Sequence, residues 1–228
     1  MIDVSRGTLR ALVPICCSQE IRDQKRIERD GKTRLKTSFN KYYGMIEIKP
    51  AETSKELQGV LALQRTNLSL NISKSEKIEQ GFVTVNHTFE QLSEMNRIAS
   101  HLIALDGKRV VGYILAMTKV SRDLIPILVP MFTQFDTLAF AGKPLSSFNY
   151  LVVGQVCVDK DYRGQGIFDQ MYSAYKKVFS ARFDFAITEI AKSNIRSLQA
   201  HQRIGFQEIH EFSDDTDEWS IVTWNWKI

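Results

Sequence analysis

The chain has little cysteine: three residues in 228, namely Cys16, Cys17 and Cys157. An odd number with an adjacent pair builds no disulfide framework and fits a reducing, cytoplasmic compartment. Cys157, inside an apolar run, reads as a small core residue rather than a nucleophile. No apolar run reaches the roughly 18 residues of a membrane span. Histidine is also sparse. His87, His101, His201 and His210 are scattered at no metal-ligand spacing, so no metal is expected. The string G-x-x-x-x-G-K-[ST] is missing, which excludes a P-loop. The apolar stretch Ala11–Cys17 is short and lies among charges, a poor secretory signal.

What is present is an ordinary globular composition, 43% hydrophobic, at a length that suits one domain with or without an appendage. The charge is uneven. Residues 1–44 carry ten Lys/Arg against five Asp/Glu, while the remainder nets −1. Gln24–Lys36 is nearly all polar and has no apolar face. The segment reads as a basic, disordered or non-native extension more than as an arm for nucleic acid. The alternation Met45-Ile46-Glu47-Ile48 opens the domain proper, residues 45–228.

The most informative stretch begins with the apolar run Tyr150–Val158. It passes through Asp159-Lys160-Asp161-Tyr162-Arg163-Gly164-Gln165-Gly166-Ile167-Phe168 into a helical pattern. A strand, a glycine turn and a helix start together make an anion site, with unpaired N–H groups and the positive end of the dipole facing the ligand. Gly164 and Gly166 remove Cβ atoms that would hold a phosphate away. Arg163 adds a fork of donors suited to phosphate oxygens. The residues read as a diphosphate site. A dinucleotide fingerprint stays open as one reading. It needs G-x-G-x-x-G tight against the strand, whereas Asp169 holds the third glycine position; Glu189 lies about twenty residues on. In the following helix, Gly166–Phe179, the residues Phe168, Met171, Tyr172, Tyr175 and Phe179 form the inner stripe.

A second pattern follows. Strand-like Phe185–Ile190 runs into Ala191-Lys192-Ser193-Asn194 and a helix ending at Gly205-Phe206. Ser193 suits an N-cap and Gly205 a terminator. Asn194, Ser197, Leu198 and His201 fall at i, i+3, i+4 and i+7, on one helix face.

Arg163–Phe168 resembles the R/Q-x-x-G-x-G/A motif of the Gcn5-related N-acetyltransferase (GNAT) family, with Phe168 where the family has a small residue. Asn194–Phe206 is similar to the family's later motif, with His201 where it usually has tyrosine. The resemblance covers Met45–Ile228. It implies an α/β (α+β) fold: a mixed, mostly antiparallel sheet with helices on both faces. It implies acetyl-CoA as co-substrate, no metal, and transfer of the acetyl group to a primary amine on a small molecule or peptide. Arg163, Gly164, Gln165, Gly166, Ile167 and Phe168 would cradle the pyrophosphate. Val156, Cys157 and Val158 would hold the pantetheine arm between splayed strands, with Asn194 and Ser197 beside it. Glu189 is the expected base, ahead of Gln155 and Asp159. His201 is either the general acid for the leaving thiolate or a cofactor hydrogen bond. The rival is a non-catalytic acyl-CoA-binding or interaction module on the same fold.

The remaining elements read coherently. Met45–Lys49 is a strand and Thr53–Gln64 a helix. Asn67–Gln80 is a second short helix or a loop, Gly81–Val85 a short extended piece and Phe89–Met95 a helical turn. Apolar runs around Asp106-Gly107 form a hairpin. Phe206–Phe212 and Glu218–Lys227 are two closing strands around the acidic turn Ser213–Asp217. Val120–Asn149 shows no period yet is rich in phenylalanine. It is read as core, as a homodimer contact, or as lining of the acceptor pocket.

Overall fold

The computed structural model describes residues 45–227. The basic segment 1–44, with Cys16 and Cys17, lies outside them. Among the described residues no helix is long and apolar enough to cross a membrane.

The chain opens with β1 (Ile46–Pro50) and α1 (Ser54–Asn67). Thr53 starts α1 through a capping box with Glu56, which satisfies two N–H groups the helix would otherwise leave bare. A single helical turn, Ser69–Asn71, leads to α2 (Lys74–Gln80), and α3 (Phe89–Ile98) begins with a second capping box, Thr88 with Gln91. β2 (Leu102–Asp106) and β3 (Arg109–Met117) form the hairpin expected at Asp106-Gly107; Gly107 takes φ +59°, which glycine adopts without strain.

Next comes the segment that showed no period. It is a run of short helical turns around α4 (Val129–Thr137), then the small hairpin β4 (Ala139–Phe140) and β5 (Lys143–Pro144). The sequence hid α4 because no side chain caps it and apolar residues lie on several of its sides. β6 (Tyr150–Val158), α5 (Ile167–Phe179), β7 (Phe185–Ala191), α6 (Ile195–Ile204), β8 (Gln207–Ser213) and β9 (Glu218–Asn225) complete the chain.

Among the described residues, seven strands form one sheet in the order β1-β2-β3-β6-β7-β9-β8, antiparallel at every step but β6–β7. One face packs on Leu57, Val60 and Leu61 of α1, Leu92 and Met95 of α3, and Phe132 and Phe135 of α4. The other packs on Met171, Tyr172, Tyr175 and Phe179 of α5, and on Leu198 and Ile204 of α6. The fully buried aromatics carry the largest stakes, about 1.5–3 kcal/mol for each such side chain removed from water.

The parallel step is incomplete. β6 has nine residues, yet it pairs with β7 only at Tyr150, Leu151 and Val152. Its ladder with β3 continues to Val158, with Gly154 bulged out between Val153 and Gln155. A Cβ on Gly154 would sit 2.8 Å from Met117 Sδ, so glycine is what lets the bulge close against β3. Beyond Val152 the strands part, and a wedge opens in the middle of the sheet.

Candidate active site

Asp159 N–H bonds to the Val111 carbonyl of β3. Because backbone groups alternate sides along a strand, Val156 and Val158 turn their N–H groups the other way, into the wedge. Two clefts occupy it.

The first cleft, about 480 Å³, lies where β6 ends and α5 and α6 begin. Of the expected cofactor residues, Val156, Cys157, Val158, Arg163, Gly164, Gly166, Ile167, Phe168, Asn194 and Ser197 all line it. Gly164 and Gly166 both take φ +75°. A Cβ at Gly164 would meet nothing within 4 Å, and one at Gly166 only Gln170 Nε2 at 3.7 Å, so the space above the loop is open to a ligand. Arg163, Arg196 and Arg203 give the lining a cationic balance against the single carboxylate of Asp169.

Three expectations change here. Gln165 is exposed, donates to the Asp161 carbonyl (3.2 Å) and stays out of the cleft lining. Arg163 is largely engaged by protein. Its Nε donates to the Val158 carbonyl (3.0 Å), Nη2 to Asn67 Oδ1 (2.7 Å) and Nη1 to Gln80 Oε1 (3.1 Å), which staples α1 and α2 to the glycine loop. Of its five N–H donors, two remain for a ligand. The cap of α6 is Asn194, not Ser193. Asn194 Oδ1 accepts from Ser197 N–H (3.3 Å) and Nδ2 donates to the Phe82 carbonyl (3.1 Å), while the Ser193 hydroxyl bonds Asp217.

Cys157 is buried, and burial pushes its thiol up to about 12, so no thiolate forms there near neutral pH. Phe168, one departure from the family pattern, turns onto the other. Its ring meets Tyr172 at 4.9 Å and His201 at 5.5 Å between centroids.

The second cleft, about 90 Å³, is walled by Phe82, Val83, Thr84, Gly154, Gln155, Thr188 and Trp219, and holds Glu189 and His201. Glu189 Oε2 is shut off from solvent and has no hydrogen-bond partner. Burial, with a smaller push from the Asp214 carboxylate, raises the Glu189 carboxyl to about 7.

His201 does not have the geometry of a general acid. Its Nδ1 lies 2.8 Å from the Ser197 carbonyl oxygen, which can only accept, so Nδ1 carries the proton. Nε2 then accepts from the Tyr172 hydroxyl at 2.6 Å. Burial lowers the imidazole to about 4 and keeps it neutral. Both nitrogens are used within the protein.

Gln155 and Asp159 are also occupied. Gln155 Oε1 accepts from Gln64 Nε2 (2.6 Å) and the Tyr113 hydroxyl (2.7 Å), and its Nε2 donates to the Val85 carbonyl (3.0 Å). Asp159 pairs with Arg109 at 2.6 Å. Nothing in the sequence marked Gln64, Asn67, Gln80 or Tyr172 as supports of the site, since each acts on a residue far along the chain. The Val120–Asn149 segment lines neither cleft; its aromatic side chains pack into the core. Among the described residues, no cluster of His, Cys, Asp or Glu is placed to hold a metal.

Comparison with known proteins agrees with this architecture. The fold matches the ribosomal-protein-S18-alanine N-acetyltransferase of Escherichia coli (TM-score 0.54, 10% identity, 81% of this chain and 96% of that one). It matches an N-acetyltransferase from Staphylococcus aureus (TM-score 0.51, 14% identity, 80% and 99%). It also matches a chain of the NatC complex bound to Gag peptide and CoA (TM-score 0.53, 13% identity, 79% and 98%). At such identities these likenesses show the fold alone. No curated protein matches. A family model described as the acetyltransferase (GNAT) family matches residues 70–206, more than half the chain. With its parted β6 and β7 and its glycine loop at the start of α5, the chain belongs to the GNAT acetyltransferase family.

Proposed function

We propose that the chain transfers the acetyl group of acetyl-CoA to a primary amine by direct attack of the amine on the thioester. The observation that carries this reading is the wedge. It joins an open glycine cradle at one end to an unpartnered carboxyl of raised pKa, Glu189, at the other.

The residues fit acetyl-CoA. The loop Arg163–Phe168 and the start of α5 would hold the pyrophosphate on N–H groups and the helix dipole. The wedge-facing groups of Val156 and Val158 would take the pantetheine arm as a missing strand would be taken. Bound there, acetyl-CoA supplies an activated acyl group with a thiolate leaving group.

A lysine-like amine has a pKa near ~10.4 and arrives protonated at neutral pH. Glu189 is placed to take that proton. Transfer to a carboxyl near 7 is uphill by about 5 kcal/mol, against roughly 8 for an ordinary glutamate, so burial strengthens the base by about 3 kcal/mol. An N–H of Val156 or Val158 steadies the negative charge that grows on the acyl oxygen. His201 acts as a positioning residue: it fixes the first turn of α6, with Ser197 and Asn194, against Tyr172 of α5.

The non-catalytic module is disfavoured by Glu189. A module has no use for a buried, unpaired carboxyl, which is costly to keep. Thiol release from acetyl-CoA with a panel of amines tests the reading. Release that depends on amine, with kcat/KM rising through an inflection near pH 7 in the wild type, is expected. Tight binding of acetyl-CoA without release for any amine would leave the module standing.

A further inference from the structure

The second cleft and its rim say something about the acceptor. This step rests on the transferase reading. Glu189 is the only charged side chain among the residues lining the cleft, since His201 is held neutral. No cation lies there to meet a carboxylate or phosphate on the acceptor. The volume, about 90 Å³, is well below the ~150 Å³ of a cavity that takes benzene, so it admits a slim chain of about four heavy atoms and little branching.

The rim is acidic. Trp219 walls the cleft and sits at the start of β9, directly after the turn joining β8 to β9. That turn holds Asp214, Asp215 and Asp217, and Glu218 opens β9 directly after it. Their contacts are local. Asp214 accepts from Thr216 N–H (2.7 Å), the Thr216 hydroxyl (2.6 Å) and Asp217 N–H (3.1 Å); Asp217 accepts from Glu218 N–H (2.8 Å) and Ser193. None of the four acids has a cation at ion-pair distance among the described residues. The neighbouring Lys192 is taken by Glu211 at 2.5 Å. Asp214 lies near enough to Glu189 for its charge to raise that carboxyl. Glu189 pairs with Ile221 of β9, three residues from Glu218, so the turn begins about 10 Å along the strand from the base.

We infer that the acceptor is an unbranched aliphatic amine carrying a second positive charge, its reacting end beside Glu189 and its distal cation against the Asp214–Glu218 turn. The acids then do two things. They draw a cation to the mouth of a narrow slot, and they hold the far end of a chain too thin to be gripped by shape alone. An acceptor with a distal carboxylate meets like charge at the same place.

Three probes on a four-carbon chain test this: 1,4-diaminobutane, 1-aminobutane and 4-aminobutanoate, each with saturating acetyl-CoA and thiol release as the signal. The expected order of kcat/KM is diamine, monoamine, amino acid, with about tenfold between successive members at low salt and less at high salt. Asp214→Asn combined with Asp215→Asn keeps an oxygen to accept the Thr216 bonds. It should bring the diamine-to-monoamine ratio close to one; Glu218→Gln, outside the turn's own hydrogen bonds, should lower the same ratio. Equal rates for diamine and monoamine in the wild type, or a full preference surviving both variants, overturn the acceptor class while leaving the transferase intact. Release with none of the three while another amine of the panel is acetylated overturns the acceptor class alone; release with no amine of the panel, despite acetyl-CoA binding, overturns the transferase reading.

Discussion

The two clefts share one wedge and differ in nearly everything else. The first is about five times larger, roofed by loop and helix ends, and cationic at Arg163, Arg196 and Arg203. The second is small and walled by strand residues, with one buried carboxyl and an acidic turn beside it. The first is shaped for a large polyanion held by backbone. Under the proposed reading the second would take the tip of a small molecule against side chains. A bound molecule in the first would be gripped along most of its length, whereas the second offers few contacts. If the proposed reading holds, single substitutions should matter most for turnover in the second cleft and for cofactor affinity in the first.

Variants that separate the clefts test that contrast. The largest effect is expected from Gly166→Asp. An aspartate at φ +75° is strained, though Asp tolerates the left-handed region better than most residues; its charge faces the anion, and affinity for CoA should fall about 1,000-fold or more with the fold kept. Titration calorimetry with CoA, beside circular dichroism, measures both; unchanged affinity would remove the assigned cradle. Glu189→Gln should do the reverse. CoA affinity holds while kcat falls about 100-fold or more, and the inflection near pH 7 disappears.

The same carboxyl gives a stability prediction. Its folded pKa of about 7 lies above its unfolded value, so the protonated form is favoured by folding. That stabilisation is complete below pH ~4.5 and is lost as pH rises through 7, up to about 3 kcal/mol. Urea unfolding of wild type and Glu189→Gln across pH 4.5–8 should show a gap between them that changes by this amount. A constant gap would mean that Glu189 titrates as it does in the unfolded chain.

The smallest effect concerns His201, which lines the second cleft. His201→Phe leaves the Tyr172 hydroxyl buried without an acceptor, at a cost of about 2 kcal/mol. If His201 only positions, the pH profile of kcat/KM keeps its shape in the variant. Loss of a limb of that profile would return the histidine to proton transfer.

The contrast also explains what could be read in the chain. The first cleft is written in two contiguous stretches, Arg163–Phe168 and Asn194–Gly205. Their strand, turn and helix order sets the geometry locally, so the residues stood out. The second cleft is assembled from Phe82, Gln155, Glu189 and Trp219, which no short-range pattern connects. Of these, the family resemblance points to Glu189 as the base and to Gln155 as a weaker candidate. The same limit misdirected the detail. In the sequence Arg163 reads as a phosphate fork because its partners Asn67 and Gln80 lie 96 and 83 residues away. Ser193 was read as a cap because the contact that selects Asn194, the Phe82 carbonyl, comes from 112 residues off. Helix α4 is hidden in the sequence because Val129 and Pro130, apolar but outside its buried face of Met131, Phe132 and Phe135, blur the period.

The three paired residues Tyr150, Leu151 and Val152 are, mechanically, the pivot of a clothes-peg. Everything the wedge can admit depends on how firmly its closed end is held. That end is bound by aromatic rings: Tyr150 stacks on Phe185 at 5.9 Å, Phe140 meets Phe185 at 4.9 Å, and Phe148 meets it at 5.5 Å. Lys119 lies 4.6 Å from the Tyr150 ring centre and donates to the carbonyls of Ser146 and Phe148, tying the segment before β6 to its first residue. The aperiodic segment thus lines neither cleft, yet it braces the closed end of the wedge from which both clefts open.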